Sequence, residues 1–430
     1  MEKTVWSSRS RRLVVNDGVS RRDALAAVGA VGVAASAGCL GRLGLGDGVD
    51  VTSTTATTQF RGGLERRGVY PDAAVPTEAG PAWTLRGVNT GDHTAAKASP
   101  VALASGDLLV PGDSGFLWRV TSGGDVVWKT EVTGASRGLH GTPAVVDGVA
   151  FVGAYDGVMT ALDVDSGDLA WRADLGDAIG SSPGYHDGVV YIAVEYADPS
   201  GAMFGLDAST GDVVWEDQRV TDHPHSTCAI DRDAGRLVVG SNDGYLYAWS
   251  YPDLEFVWKT PTGRPIKGPV ATFDGSAFFG SWDRNVYRVA LDDGTVEWTK
   301  QTGALVMSGP SVEPATGTVY VGSKDETLYA LDAASGDETW RFDADGAIIG
   351  CPTVTSEHVL VGAYDETLHV VPKADGETVW NASGVGRVTS TPLVHERAVY
   401  FTDRASDAYL ADESEASGTS GGLYKVASAV

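Results

Sequence analysis

"VYVGSKDETLYALDAASGDETW" occupies Val319–Trp340. Two runs alternate apolar and polar residues and are rich in β-branched and aromatic side chains, the pattern of half-buried strands. "SKDE" lies between them and "AASGD" after them, both of turn composition. A tryptophan then enters a third run. Near-copies recur along most of the chain. Trp83, Trp128, Trp171, Trp215, Trp258, Trp298, Trp340 and Trp380 are spaced by 45, 43, 44, 43, 40, 42 and 40 residues. A second series keeps step with them: Pro100, Pro143, Pro183, Pro269, Pro310, Pro352 and Pro392. Only the fourth unit lacks it, with "STCAI" in its place. Units of this length with four short strands and no room for a helix predict propeller blades.

The turn before each tryptophan has a physical reading. Asp332 is placed to accept bonds from backbone N–H groups, and Gly336 supplies a left-handed position that a Cβ disfavours. Trp340, on the outer strand, is then expected to lie over the neighbouring blade. These eight tryptophans are read as structural docking residues.

Counting predicts closure. Trp83 precedes any complete blade, and the last unit has three strands but no terminal tryptophan. The strand carrying Trp83 should therefore complete the last blade and remove the free edges of an open ring. The expected fold is all-β: an eight-bladed β-propeller of four-stranded antiparallel blades over 81–430, closed by an N-terminal strand.

"ALDVDSGDLAW" (Ala161–Trp171), "GLDASTGDVVW" (Gly205–Trp215) and "ALDAASGDETW" (Ala330–Trp340) resemble the tryptophan-docking motif of pyrroloquinoline-quinone (PQQ)-like propellers. "VALDDGTVEW" is a shortened copy; "AWSYPDLEFVW" and "VPKADGETVW" are degenerate ones. The resemblance extends to quinoprotein dehydrogenases and to BamB-like assembly lipoproteins, and "QFRGGLERRG" resembles the lead-in before the first blade of that family. By that resemblance it should lie against the ring.

The N-terminal residues read as an address. Arg21 and Arg22 precede a mild apolar stretch, Ala24–Gly38, too short to span a bilayer and of signal-peptide dimensions. Small residues lead into Cys39. This is similar to a twin-arginine signal (1–39) with Cys39 as the acylated residue. Export by the twin-arginine route and a lipid anchor on the outer face of the cytoplasmic membrane are expected. Residues 40–80 read as a Thr/Gly-rich tether followed by the lead-in.

With 57 Asp and Glu against 32 Lys and Arg, the formal net charge is −25. That charge argues against nucleic acid as a partner. Such a surface resembles proteins of halophilic archaea. Cys228 and Cys351, in different units, are too few for a disulfide framework and read as buried small residues.

Catalysis of the PQQ type implies quinone, calcium and a catalytic aspartate, and its alcohol-oxidising members often carry adjacent cysteines. This chain has none. "DVDSGD" (Asp163–Asp168) has the look of a calcium loop but stands where other units have the docking turn. No CxxC, HExxH, GxSxG or phosphate loop is present. The expectation is no catalytic residue, cofactor or metal, with PQQ and calcium retained for a dehydrogenase alternative.

One face of the ring should collect the loops before each first strand and the middle hairpins. The candidate binding residues there are His140, Tyr155, Tyr196, His223, His225, Lys267, Trp282, Arg284, Lys324, Tyr364 and Arg387. Aromatics and arginines of this kind are what interfaces enrich. The sequence thus predicts a monomeric, non-catalytic scaffold that binds a protein partner at the cell surface. The alternatives are an extracellular glycan or small-ligand binding protein, or a PQQ-dependent dehydrogenase.

Overall fold

The structure is a computed structural model that describes residues 48–90, 98–405 and 420–428. Arg21, Arg22 and Cys39 lie outside the described residues. Eight antiparallel sheets follow one another: blade 1 (101–131), blade 2 (144–174), blade 3 (184–220), blade 4 (229–261), blade 5 (271–301), blade 6 (311–343), blade 7 (353–383) and blade 8 (393–428 with 79–89). The predicted eight-bladed propeller is observed. In blade 8 the outermost strand is Ala79–Asn89, paired antiparallel with Gly421–Ser428, so Trp83 sits opposite Lys425 and the ring closes as the count required.

The docking motif works through glycine. Asp332 Oδ1 accepts from the amides of Ala334 (3.0 Å) and Ser335 (2.8 Å). Gly336 has φ +76°, and a Cβ there would stand 2.8 Å from the Trp298 indole. Glycine thus serves twice, for the left-handed turn and for the close approach of the indole. The indole nitrogen donates across the blade boundary: Trp83 to Ser122 O (3.1 Å), Trp128 to Val164 O (3.0 Å), Trp171 to Ala208 O (2.9 Å), Trp258 to Leu291 O (3.1 Å), Trp298 to Ala333 O (3.0 Å) and Trp340 to Lys373 O (2.8 Å).

Two members depart from the series. Trp215 faces blade 4, whose turn has no glycine; Leu254 takes the left-handed position (φ 59°) that glycine holds against the indole in turns such as that of Gly336. Trp215 instead meets Trp249 edge-on, with centroids 6.0 Å apart. Trp380 faces blade 8, where the third strand is the C-terminal one and no docking turn follows. It donates to Pro76 O (2.7 Å), so the lead-in supplies the missing acceptor.

The residues before the proline series form a second inter-blade belt. The Thr391 amide donates to Ser99 Oγ (3.0 Å), Ser99 to Thr142 Oγ1 (3.0 Å), Thr142 to Ser182 Oγ (2.9 Å) and Ser182 to Thr227 Oγ1 (3.0 Å). Cys351 Sγ accepts likewise from the Gly309 amide (3.3 Å). Cys351 is therefore more than a small buried hydrophobe: its thiol stands where other blades use a hydroxyl.

The segment read as a tether does not span open solvent. Thr52 N donates to Asp147 Oδ2 (2.7 Å), and Thr58 exchanges bonds with Val145 of blade 2. Hydrogen bonds from Ser53 and Thr52 hold the Asp147 carboxyl down to about 2. The lead-in then crosses the innermost strands in turn. Leu64 O accepts from Ile230 N of blade 4, Glu65 O from Thr272 N of blade 5, Arg67 O from Val312 N of blade 6 and Gly68 O from Val354 N of blade 7. Val69–Tyr70 adds a parallel strand beside Thr353–Thr355. The lead-in lies against the ring as expected, and it occupies the axis.

Two buried arginines fix this plug. Arg66, 1% exposed, donates to Cys228 O (3.0 Å), Phe60 O (2.9 Å) and Pro183 O (3.1 Å). Arg61 donates to Arg66 O (2.8 Å), Gly309 O (3.2 Å) and Ser311 Oγ (2.9 Å). A guanidinium carries five donors in a fixed fork, which suits a site lined by strand-end carbonyls.

Candidate functional site

The loops before the first strands and the middle hairpins come together on one face, as the topology requires. One backbone bond repeats there. The first hairpin residue donates to the preceding inter-blade loop: Tyr155 N to Gly138 O, Trp282 N to Pro265 O, Lys324 N to Leu305 O and Tyr364 N to Ala347 O. The predicted aromatics and cations are thus held at equivalent positions around the ring. The aspartate that follows is structural. Asp283 accepts from Gly263 N (2.8 Å), Asn285 N (3.0 Å) and the Tyr287 hydroxyl (2.6 Å), and Asp325 does the same with Gly303 N (2.6 Å), Thr327 N (3.2 Å) and the Tyr329 hydroxyl (2.8 Å).

Between blades 2 and 4 the face holds a cluster built on Glu195, a residue that sequence reading passed over. Glu195 is 8% exposed. His225 Nδ1 donates to Glu195 Oε1 (2.7 Å), which leaves His225 Nε2 to accept from the Tyr155 hydroxyl at 3.3 Å. His223 Nδ1 stands 3.9 Å from Glu195 Oε2, while its Nε2 donates to Tyr196 O (2.9 Å). Burial raises the Glu195 carboxyl, but the His225 bond and the nearby charges outweigh it and hold the group below its usual range. His140, placed on the binding face by the sequence, is buried at 7% exposure. It packs edge-on to Tyr155 (4.7 Å between centroids), so it supports the cluster from below. The pair His223 and His225, both among the candidate face residues, is an organised part of this cluster.

The other predicted residues form cation–aromatic stacks. Lys267 Nζ lies 4.5 Å from the Trp282 ring centroid, the Arg387 guanidinium 4.7 Å and Lys324 Nζ 6.0 Å from the Tyr364 ring. Arg284 is exposed at a hairpin tip with φ 74°. Burial holds the Lys267 ammonium below the usual lysine value, against the pull of Glu195 and Asp222.

Elsewhere, a groove of about 640 Å³ between blades 6 and 7 is lined by Trp340, Thr316, Thr339, Ser356, His358 and the Glu313–Lys373 pair (2.6 Å).

Two places in the ring bear on quinone or calcium binding. The axis is occupied by the lead-in. Asp163, in the calcium-like loop, accepts from Asp165 N (3.0 Å) and Ser166 N (2.7 Å), the bonds of an ordinary docking turn. Among the described residues no group of three or more His, Cys, Asp or Glu is placed to hold a metal ion. Cys228 and Cys351 are separate, free and buried.

Eight four-stranded blades joined by docked indoles make this a PQQ-like repeat propeller. A family profile described as outer membrane protein assembly factor BamB matches residues 76–232, 206–317 and 306–417, and the chain belongs to that family. Over 185 residues it is 31% identical to the outer membrane protein assembly factor BamB of Yersinia pestis, a match covering 41% of this chain and 44% of that protein. The chain therefore matches less than half of that relative's length. A quinohemoprotein alcohol dehydrogenase from Pseudomonas putida HK5 superposes with a TM-score of 0.69 at 14% identity, over 86% of this chain and 80% of that one. BamB from Moraxella catarrhalis gives 0.60 at 18% identity, over 81% and 99%. At such identities the two structures speak for the fold alone.

Proposed function

We propose that this protein is a non-catalytic, monomeric scaffold that holds a protein partner against the face carrying Tyr155, Lys267, Trp282, Arg284, Lys324 and Tyr364. The observation that carries the reading is the contrast between that face and the axis. The face presents ordered aromatics and cations at equivalent blade positions, while the axis is occupied by the chain's own lead-in. Large, stiff side chains of this kind provide contact area at low entropic cost. The similarity to BamB proteins supports an assembly role. We further propose export by the twin-arginine route through Arg21 and Arg22. Acylation of Cys39 would then anchor the protein to the outer face of the cytoplasmic membrane, at the cell surface. One lipid chain holds only marginally, so partner contacts or a second chain would share in retention.

The test is recovery of partners from detergent-solubilised membranes with wild-type protein and with Trp282→Ala plus Arg284→Ala. The scaffold reading expects the wild-type partner band to fall several-fold in the variant at unchanged thermal stability. Equal recovery would remove this face. The groove beside Trp340 favours a second reading, an extracellular glycan or small-ligand binder, because a part-exposed indole edged by hydroxyls suits a neutral polyhydroxylated ligand and the volume lies within the ~300–1,000 Å³ of small-molecule sites.

A further inference from the structure

We infer that the inner edge of blades 8 and 1 is a second binding site, a slot that takes a short, extended, apolar segment of a partner protein. It is separate from the face described above. Successive turns of a blade alternate sides, so the hairpins after the first strands open opposite the middle hairpins.

The lead-in shows what the inner edge accepts. At the middle of each first strand one N–H points off the sheet toward the axis. In six blades that group bonds the lead-in. Val145 donates to Thr58 O (2.8 Å), Tyr185 to Gln59 Oε1 (3.2 Å), Ile230 to Leu64 O (2.9 Å), Thr272 to Glu65 O (2.9 Å), Val312 to Arg67 O (3.1 Å) and Val354 to Gly68 O (2.9 Å). Ala102 of blade 1 and Val394 of blade 8 hold the same place. They stand opposite Leu108 and Val399 as Val354 stands opposite Val359. Neither N–H bonds a group among the described residues.

The gap has a visible cause. Tyr70 is followed by Pro71, which has no N–H to continue the pairing. Ala73 N turns back to Tyr70 O (3.0 Å), and Pro76 O is taken by Trp380, so the lead-in leaves the axis after blade 7. Burial follows the same boundary. Leu393 and Ala102 are part-exposed, whereas their counterparts Thr353 and Val354 of blade 7 and Ser311 and Val312 of blade 6 are buried. Between the departing lead-in and blade 8 lies a pocket of about 460 Å³, with Val69, Pro71, Ala73, Ala74 and Val394 among its lining residues.

An unpaired strand edge is a template for another chain, and backbone carbonyls are what it captures. The lead-in serves adjacent blades with adjacent carbonyls: those of Leu64 and Glu65 at blades 4 and 5, and those of Arg67 and Gly68 at blades 6 and 7. A segment of a few residues therefore reaches both Val394 and Ala102. The apolar wall of the pocket suits small aliphatic side chains. Asp72 and Glu396 lie there with His395 and Arg397, so neither sign of charge is favoured.

The test uses the full chain and a fluorescein-labelled Ala-Val-Ala-Val amide, titrated by fluorescence polarisation. Ala102→Pro plus Val394→Pro removes both donors. Neither N–H belongs to a strand ladder, and an edge strand tolerates proline where its N–H faces away from the sheet. Two lost hydrogen bonds should weaken binding about tenfold. Ala74→Trp, at an exposed residue off the strands, fills the pocket and should weaken binding without touching either donor. It serves if circular dichroism shows the proline variant unfolded. Hydrogen exchange gives a readout that needs no variant. In the free protein the amides of 102 and 394 should exchange faster than those of 312 and 354, and saturating peptide should slow them. Slow exchange at both in the free protein would mean that the edge is already covered, and would overturn the inference. So would the absence of saturable peptide binding, unchanged affinity in Ala74→Trp, or equally tight binding of a single capped valine. The partner-recovery test of Trp282 and Arg284 stands or falls separately, since those residues lie on the other side of the ring.

Discussion

Replacing Trp171 with alanine lowers the stability of the ring by about 3–5 kcal/mol, read by chemical denaturation. The side chain is 2% exposed and donates to Ala208 O across the boundary between blades 2 and 3. A buried tryptophan removes ~150–250 Å² from water. The added β-carbon of a Gly211→Ala change would meet that indole at 2.6 Å from the other side, so both substitutions attack one contact. Trp215→Ala is the internal comparison. Its indole is part-exposed and meets Trp249 only edge-on, so its loss should be smaller than that of Trp171. Equal losses at the two positions would show that docking through the turn carbonyl and glycine is not what joins the blades.

The second large effect belongs to the axial plug. Arg66→Ala leaves the carbonyls of Cys228, Phe60 and Pro183 without their donor. A buried acceptor left unmatched costs ~1–3 kcal/mol. Part of that is offset because burial already opposes the guanidinium charge and holds its pKa below the usual value. The expected net loss is about 2–4 kcal/mol, accompanied by faster amide exchange at residues 230, 272, 312 and 354, whose N–H groups bond the lead-in. Arg66→Lys should recover little, since one ammonium cannot span the three acceptors of a planar fork. Full recovery with lysine would mean that charge, rather than geometry, seats the plug.

The blades were legible because their chemistry is local. Asp332, Gly336 and Trp340 lie within one turn and one strand, and period-two alternation marks the strands around them. Closure was legible by counting. The path of the lead-in through the axis was not, because Arg61 and Arg66 use backbone carbonyls as far as 249 and 162 residues away, and a carbonyl has no sequence signature. The same limit explains Thr52–Thr58, whose threonines suggest a solvated linker until Asp147 and Val145 are brought beside them. That the candidate residues would share one face was legible, because the hairpin positions repeat with the blades. Its organising carboxylate was missed. Glu195 sits in a strand at a position that alternation alone assigns to either face, and its partner His225 comes from the loop leading into the next blade. The degenerate fourth turn was visible as a missing glycine, but its consequence for Trp215 needed Leu254 in its left-handed position.

The central proposal is that this ring acts through its surface, without quinone chemistry. The direct measurement is dye reduction by the purified full chain at high salt, with added pyrroloquinoline quinone and calcium and a panel of alcohols and sugars. The account predicts a rate equal to that of quinone and calcium alone. Saturable, substrate-dependent reduction that requires the protein would contradict it.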